Sequence, residues 1–206
     1  SIYRVIAVIE KKSKVMTDED KELTSYHEVG HALLAKLLKD ADELHKVSII
    51  PRGALGVTWT KPKDEQVHTN KAKLLAQITV SLGGRAAEEI VYGKDRVSTG
   101  ASQDLINVTN IARKMVTAWG MSDKLGNMAY GKNQENVFMG RDFGHQRDYS
   151  EQVAFEIDEE MKRIVDEKYE EAKNLLSSHR DMLEAIAKEL LDKETIDAEE
   201  FQNIMD

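Results

Sequence analysis

The chain has no cysteine among its 206 residues. Disulfides and thiolate metal sites are therefore excluded, and any metal held here must be bound by histidine and carboxylate. Proline is nearly as scarce, with two residues. Few helix breakers amid many Ala, Leu, Glu and Lys point to a mainly α-helical protein. No run of about 18 apolar residues occurs, so no segment reads as a membrane-spanning helix. Positive charge is not in excess either: 29 Lys and Arg against 37 Asp and Glu leave a net charge of −8, which provides no electrostatic footprint for nucleic acid. Ser1 to Ile9 is apolar but short and carries no signal-peptide cleavage pattern. With Lys11, Lys12 and Lys14 it reads as a linker, residues 1–16, from an upstream domain. The hydrophobic content of 41% suffices for the core of one substantial domain or two small ones.

What is present is organised around His27-Glu28-Val29-Gly30-His31. The segment from Thr17 to about Lys39 reads as a helix. Thr17 suits the N-cap, Asp18, Glu19 and Asp20 suit the first turn, and Leu23, Tyr26, Leu33, Leu34, Leu37 and Leu38 recur at helical spacing. Two His at i and i+4 lie one above the other on a helix, so both imidazoles can reach one tetrahedral metal ion. Glu28, beside the first of them, is placed to take a proton from water and hand it to a leaving amine. This is the pattern of zinc metallopeptidases. Gly30 inside the helix costs roughly 1 kcal/mol relative to Ala, a cost that a closely packed neighbour would explain.

Downstream, Lys46 to Ile50 and Gly56 to Thr60 read as two strands punctuated by Pro51, Arg52 and Gly53, a small hairpin beside the zinc helix. The second strand, with Gly56, Val57, Thr58 and Trp59, is a candidate for pairing with an extended peptide; a plain structural hairpin fits equally. Thr69 to Tyr92 reads as a long helix stopped by Gly93, with Gly83 and Gly84 where another helix crosses closely. Ala101 to Trp119 reads as the next helix. Met121 to Tyr149 is Gly- and Asn-rich and aperiodic, long for a plain connection. Ser150 caps a helix to about Ser177, His179 to Leu191 gives another, and Asp197 with Glu200 caps a short last one. The expectation is an active-site part over residues 17–120 and a helical C-terminal part over residues 150–206.

The third metal ligand has several candidates. His45, His68, His145 and His179 lie in polar or loop-like settings and read as surface residues. Glu88 and Glu89 sit on the helix where some zinc peptidases carry a ligating Glu. Asp104 opens the following helix. Spacing alone does not choose among them.

Four motifs in order bear on the choice: Ser25-Tyr26 before the His27–His31 pentad, Val47-Ser48-Ile49-Ile50-Pro51-Arg52-Gly53, Gly83-Gly84-Arg85-Ala86-Ala87-Glu88-Glu89, and Ser98-Thr99-Gly100-Ala101-Ser102-Gln103-Asp104-Leu105. Together they resemble the peptidase domain of the FtsH family, membrane-anchored ATP-dependent AAA proteases, over nearly the whole chain. The resemblance implies Zn²⁺ held by His27, His31 and Asp104, Glu28 as catalytic base, and Glu88 and Glu89 as candidates to orient a ligating His. Gln103 stands where the family usually has Asn. The resemblance further implies a homohexamer that degrades unfolded or membrane proteins at the cytoplasmic face of the bacterial inner membrane, fed by an upstream ATPase domain. This chain carries no Gly-x-x-x-x-Gly-Lys-Ser/Thr phosphate loop, so it reads as the peptidase part alone, with no membrane contact of its own. Two other readings stand beside this one: a stand-alone zinc peptidase with Glu88 or Glu89 as ligand, and a helical assembly module whose zinc is structural.

Overall fold

Thr17 starts the first helix. Its hydroxyl accepts the Asp20 main-chain N–H at 3.1 Å, and the Asp20 carboxylate reaches back to the Thr17 N–H. Asp18, Glu19 and Asp20 meet the positive end of the helix dipole. The helix so capped is α1 (Asp18–Leu37). The computed structural model describes residues 15–50, 57–61, 68–131 and 147–206. Nearly all of the expected 1–16 linker, the Pro51–Gly56 turn including Gly56, His145, and residues 132–146 of the long connection lie outside the described residues.

Among the described residues α1 is followed by α2 (Lys71–Tyr92), α3 (Ser102–Thr117), α4 (Glu151–Ser178), α5 (Arg180–Lys193) and α6 (Ala198–Met205). The strands are β1 (Glu43–Ser48), β2 (Val57–Lys61) and β3 (Thr195–Asp197), an antiparallel sheet in the order β2-β1-β3. The chain is mainly α with a small sheet beside α1, as composition and periodicity predict. The hairpin is real but begins earlier, at Glu43. The sheet also has a third strand, too short to leave a periodic signal. It forms because Val47 pairs with both Thr58 and Ile196, burying Val47 and Ile196 completely. Register shifts between Leu44 and Lys46, leaving His45 as a bulge.

From Thr24 to Ala35 every residue of α1 is buried, because α2, α5 and the sheet surround it. The crossing with α2 is close: a Cβ built on Gly30 would lie 2.3 Å from the Gly83 carbonyl oxygen, and one on Gly83 would lie 2.7 Å from the Gly30 oxygen. Main chain packs on main chain there, and no other residue type fits without moving a helix. On another side the Ser25 hydroxyl donates to the Ala187 carbonyl at 2.6 Å, fastening α1 to α5.

Two apolar clusters result. One joins α1 and the sheet to Ala172, Leu176, Leu183, Ile186, Leu190 and Phe201. The other joins α2, α3 and α4 through Ile78, Leu82, Val108, Met115, Ile157 and Ile164, with Leu125 beside them. The helix α2 serves both. Much of the apolar stripe of α4 and α5 is thus spent on the core. Among the described residues no helix is long and apolar enough to cross a membrane.

Candidate metal centre

Helical spacing puts His27 and His31 on one face of α1. Gly84 on α2 makes room for the first of them, since a Cβ at Gly84 would stand 2.4 Å from the His27 ring. Asp104 arrives from the first turn of α3, aimed by a short 3-10 turn, Thr99–Ala101, whose start is fixed when Gly100 N–H donates to the Ser98 hydroxyl at 3.0 Å. The three side chains converge. His27 Nε2 and His31 Nε2 stand 3.1 Å apart, and Asp104 Oδ2 lies 3.1 Å from the first and 3.2 Å from the second.

The far side of each ring is also held. His27 Nδ1 donates to Glu88 Oε2 at 2.7 Å, and His31 Nδ1 donates to the Val80 carbonyl at 2.7 Å. Glu88 is 0% exposed and takes a second bond, from the Ser98 N–H at 2.9 Å. A carbonyl can only accept, so the His31 proton is on Nδ1; an ionised Glu88 requires the same of His27. With neutral rings, two Nε2 lone pairs and a carboxylate oxygen then face one point, an arrangement that needs a positive charge between them. Where a proton rather than a metal ion supplies that charge, burial opposes it on His27, but hydrogen bonds to Asp104 and Glu88 outweigh burial and push the pKa up to about 9. Burial likewise opposes charge on Asp104, yet hydrogen bonds from His27 and His31 hold its carboxyl well below the usual carboxylate range. Glu88 is held low against its burial by His27 and Ser98. Two imidazoles and a carboxylate are a zinc donor set, and ligand atoms about 2.0–2.2 Å from one tetrahedral ion stand roughly 3.3 Å apart. The separations here fit that group. His27, His31 and Asp104 are the one such cluster of three among the described residues.

Glu28, next to His27, is buried. Its Oε2 accepts the Thr58 hydroxyl of β2 at 2.6 Å. The two adjacent glutamates of α2 part company: Glu88 serves His27, whereas Glu89 faces α4, bonded to the Tyr169 hydroxyl and 3.7 Å from Lys173 Nζ. Glu89 thus touches neither His. On β2, Trp59 lies under the Lys46 ammonium at 4.4 Å, while Thr58 points to α1. His45 and His68 are exposed, and His179 donates to the Leu175 carbonyl. One turn beyond the metal cluster, Ala35, Val80, Asn107 and Thr60 help to line a cavity of about 370 Å³. The sequence reading missed three contacts: the Val80 carbonyl, the Ser98 N–H and the Thr58–Glu28 bond. The first two are main-chain groups, which leave no trace in residue type. The third joins residues 30 positions apart that only the hairpin brings together.

Residues 14–204 match the model of peptidase family M41. The chain is 47% identical over 207 residues to the ATP-dependent zinc metalloprotease FtsH of Rubrobacter xylanophilus, covering 100% of this chain and 32% of that protein. It is 49% identical over 208 residues to the protein of the same name from Synechococcus sp., covering 100% and 33%. With that of Bacillus subtilis it shares 47% over 205 residues, covering 98% and 32%. The chain thus spans about a third of the length of the curated relatives it matches.

Proposed function

The chain belongs to peptidase family M41, and from that premise we propose that it is a zinc-dependent endopeptidase domain that hydrolyses internal peptide bonds of unfolded polypeptide. The observation that carries the proposal is the convergence of His27 Nε2, His31 Nε2 and Asp104 Oδ2 within 3.2 Å of one another, with Glu28 on the same helix. These three residues would hold the zinc. Bound there, zinc supplies a Lewis acid that makes water nucleophilic at neutral pH and polarises the scissile carbonyl. Glu88 and the Val80 carbonyl fix the two rings so that each presents Nε2. Glu28 takes a proton from the attacking water as the new C–O bond forms, then delivers it to the amide nitrogen as the C–N bond breaks. Replacing Glu28 by Gln is expected to leave zinc content unchanged and to abolish cleavage, read by metal analysis and by hydrolysis of an unstructured fluorogenic peptide. Retained hydrolysis sinks the mechanism.

The outer strand β2 supports an extended substrate. Its far edge is unpaired among the described residues, and the neighbouring 370 Å³ cavity has the place of a seat for one side chain beside the scissile bond. Main-chain pairing of this kind is tested with a peptide N-methylated at alternate residues. Its KM is expected to rise at least tenfold over the unmethylated peptide, and an unchanged KM removes β2 from substrate binding.

The names of the relatives carry ATP dependence. In this reading an ATPase domain upstream in the full-length protein unfolds and delivers the substrate. The assembly is a membrane-anchored homohexamer with the peptidase domains on the cytoplasmic side. Leu105 and Ile106, exposed on α3, suit a face covered by a neighbour. Degradation of a folded substrate by the full-length protein is expected to require ATP, whereas cleavage of a short peptide is not. Glu88 and Glu89 are occupied by His27 and Tyr169, which favours Asp104 over the stand-alone peptidase with a Glu ligand. A protein that keeps zinc yet cuts no peptide would favour the assembly module instead.

A further inference from the structure

Thr58 does more than occupy a strand. Its hydroxyl lies 2.6 Å from Glu28 Oε2 and 3.1 Å from the Glu28 main-chain oxygen. The strand that carries it is fixed in register, Thr58 opposite Val47, on the sheet face packed against α1. No other described side chain bonds the Glu28 carboxylate, and Oε1 is left without a described partner. A Glu side chain has three rotatable bonds, and without a tether it samples several rotamers.

We propose that Thr58 is the positioning residue of the base: its hydroxyl pins Oε2 of Glu28 and thereby leaves Oε1 as the oxygen that works on water. This rests on the reading of Glu28 as base. A hydroxyl suits the task better than a fixed donor, because it has one proton and two lone pairs. While Glu28 is a carboxylate, the hydroxyl donates to Oε2. A proton taken from water onto Oε1 leaves that bond in place. A proton on Oε2 is accommodated too, since the hydroxyl can turn its own proton to the Glu28 carbonyl oxygen and accept from Oε2. The carboxyl therefore keeps one orientation through both halves of the reaction, first as base and then as acid. Valine has the same shape as threonine and can do neither.

The test compares T58V, T58S and E28Q in the zinc-loaded full-length protein with an unstructured fluorogenic peptide. Misplacing a catalytic group by about 1 Å can cost on the order of 100-fold in rate, so T58V is expected to lose 10- to 100-fold in kcat. Its KM should stay within about twofold of the parent, with zinc content unchanged, because main-chain pairing and the metal ligands are untouched. T58S, which keeps the hydroxyl, is expected to recover most of that rate. A T58V enzyme as fast as the parent, with E28Q inactive, overturns the role of Thr58 and leaves Glu28 as base. An active E28Q overturns the underlying reading instead. Should T58V fold poorly, T58S against T58A decides: equal losses in both mean that the hydroxyl is not what matters.

Discussion

A methyl group added at Gly84 would lie 2.4 Å from the His27 ring. The ring is held on its other side by Glu88 and cannot retreat without giving up that bond. Gly84→Ala is therefore expected to weaken zinc affinity by about 10- to 100-fold, the range seen when the partners that orient a ligand are lost, with little change in helix content. Metal competition with a chromophoric chelator and circular dichroism measure the two. At this scale the sequence was legible where chemistry is written in side chains. His27, Glu28 and His31 stand out from their spacing alone. Asp104 against Glu88 and Glu89 was not decidable from spacing, because all three lie at helical positions with carboxylates in plausible places. What separates them is the direction each helix faces: Glu88 and Glu89 are neighbours 100° apart on α2, so one meets His27 and the other meets Tyr169.

Among the elements, α4 ties the connection after α3 to the rest. Ser122 donates to Glu160 Oε2 at 2.6 Å, and Arg163 makes two bonds of 3.0 Å to the same carboxylate. Arg163 foremost, with Ser122, holds Glu160 below its ordinary value of 4.5 against its burial. A carboxyl whose pKa is lowered on folding contributes stability that is present above its unfolded value and lost as pH falls through the folded one. Stability is thus expected to drop as pH falls below about 4.5, and Glu160→Gln is expected to lower stability at pH 7 while flattening that drop. Urea unfolding at a series of pH values reads both effects, and an acid limb unchanged in E160Q assigns the drop to other carboxylates. The helices themselves were largely legible, because apolar periodicity and the caps Thr17, Ser150 and Asp197 are local signals. The third strand was not: Thr195-Ile196-Asp197 acquires its conformation from pairing with Lys46, Val47 and Ser48, about 150 residues away.

For the whole molecule, the metal would bind between α1 and α3, which come from separate stretches of the chain. His27 and Asp104 are 77 positions apart. A ligand bound by the folded state alone adds about 4 kcal/mol at a thousandfold excess over its dissociation constant, which for a domain of this size is roughly 10 °C in Tm. Removing zinc with a chelator is expected to lower Tm by about that amount, with recovery on adding zinc back, measured by calorimetry. A Tm indifferent to chelation means that zinc does not join the two helices.

The closing contacts of the fold lie near its end. Ser25 on α1 is bonded to Ala187, and the strand that carries Ile196 completes the sheet over the same helix. On the ribosome, at about 5–20 residues per second, α1 emerges roughly seven to thirty seconds before the segments that cover it. During that interval the His27–His31 helix has no α5 to rest on and no complete sheet beside it. The cover over this helix is complete only once α5 and β3 have been made. The order of synthesis thereby leaves the most deeply buried helix of the fold uncovered longest.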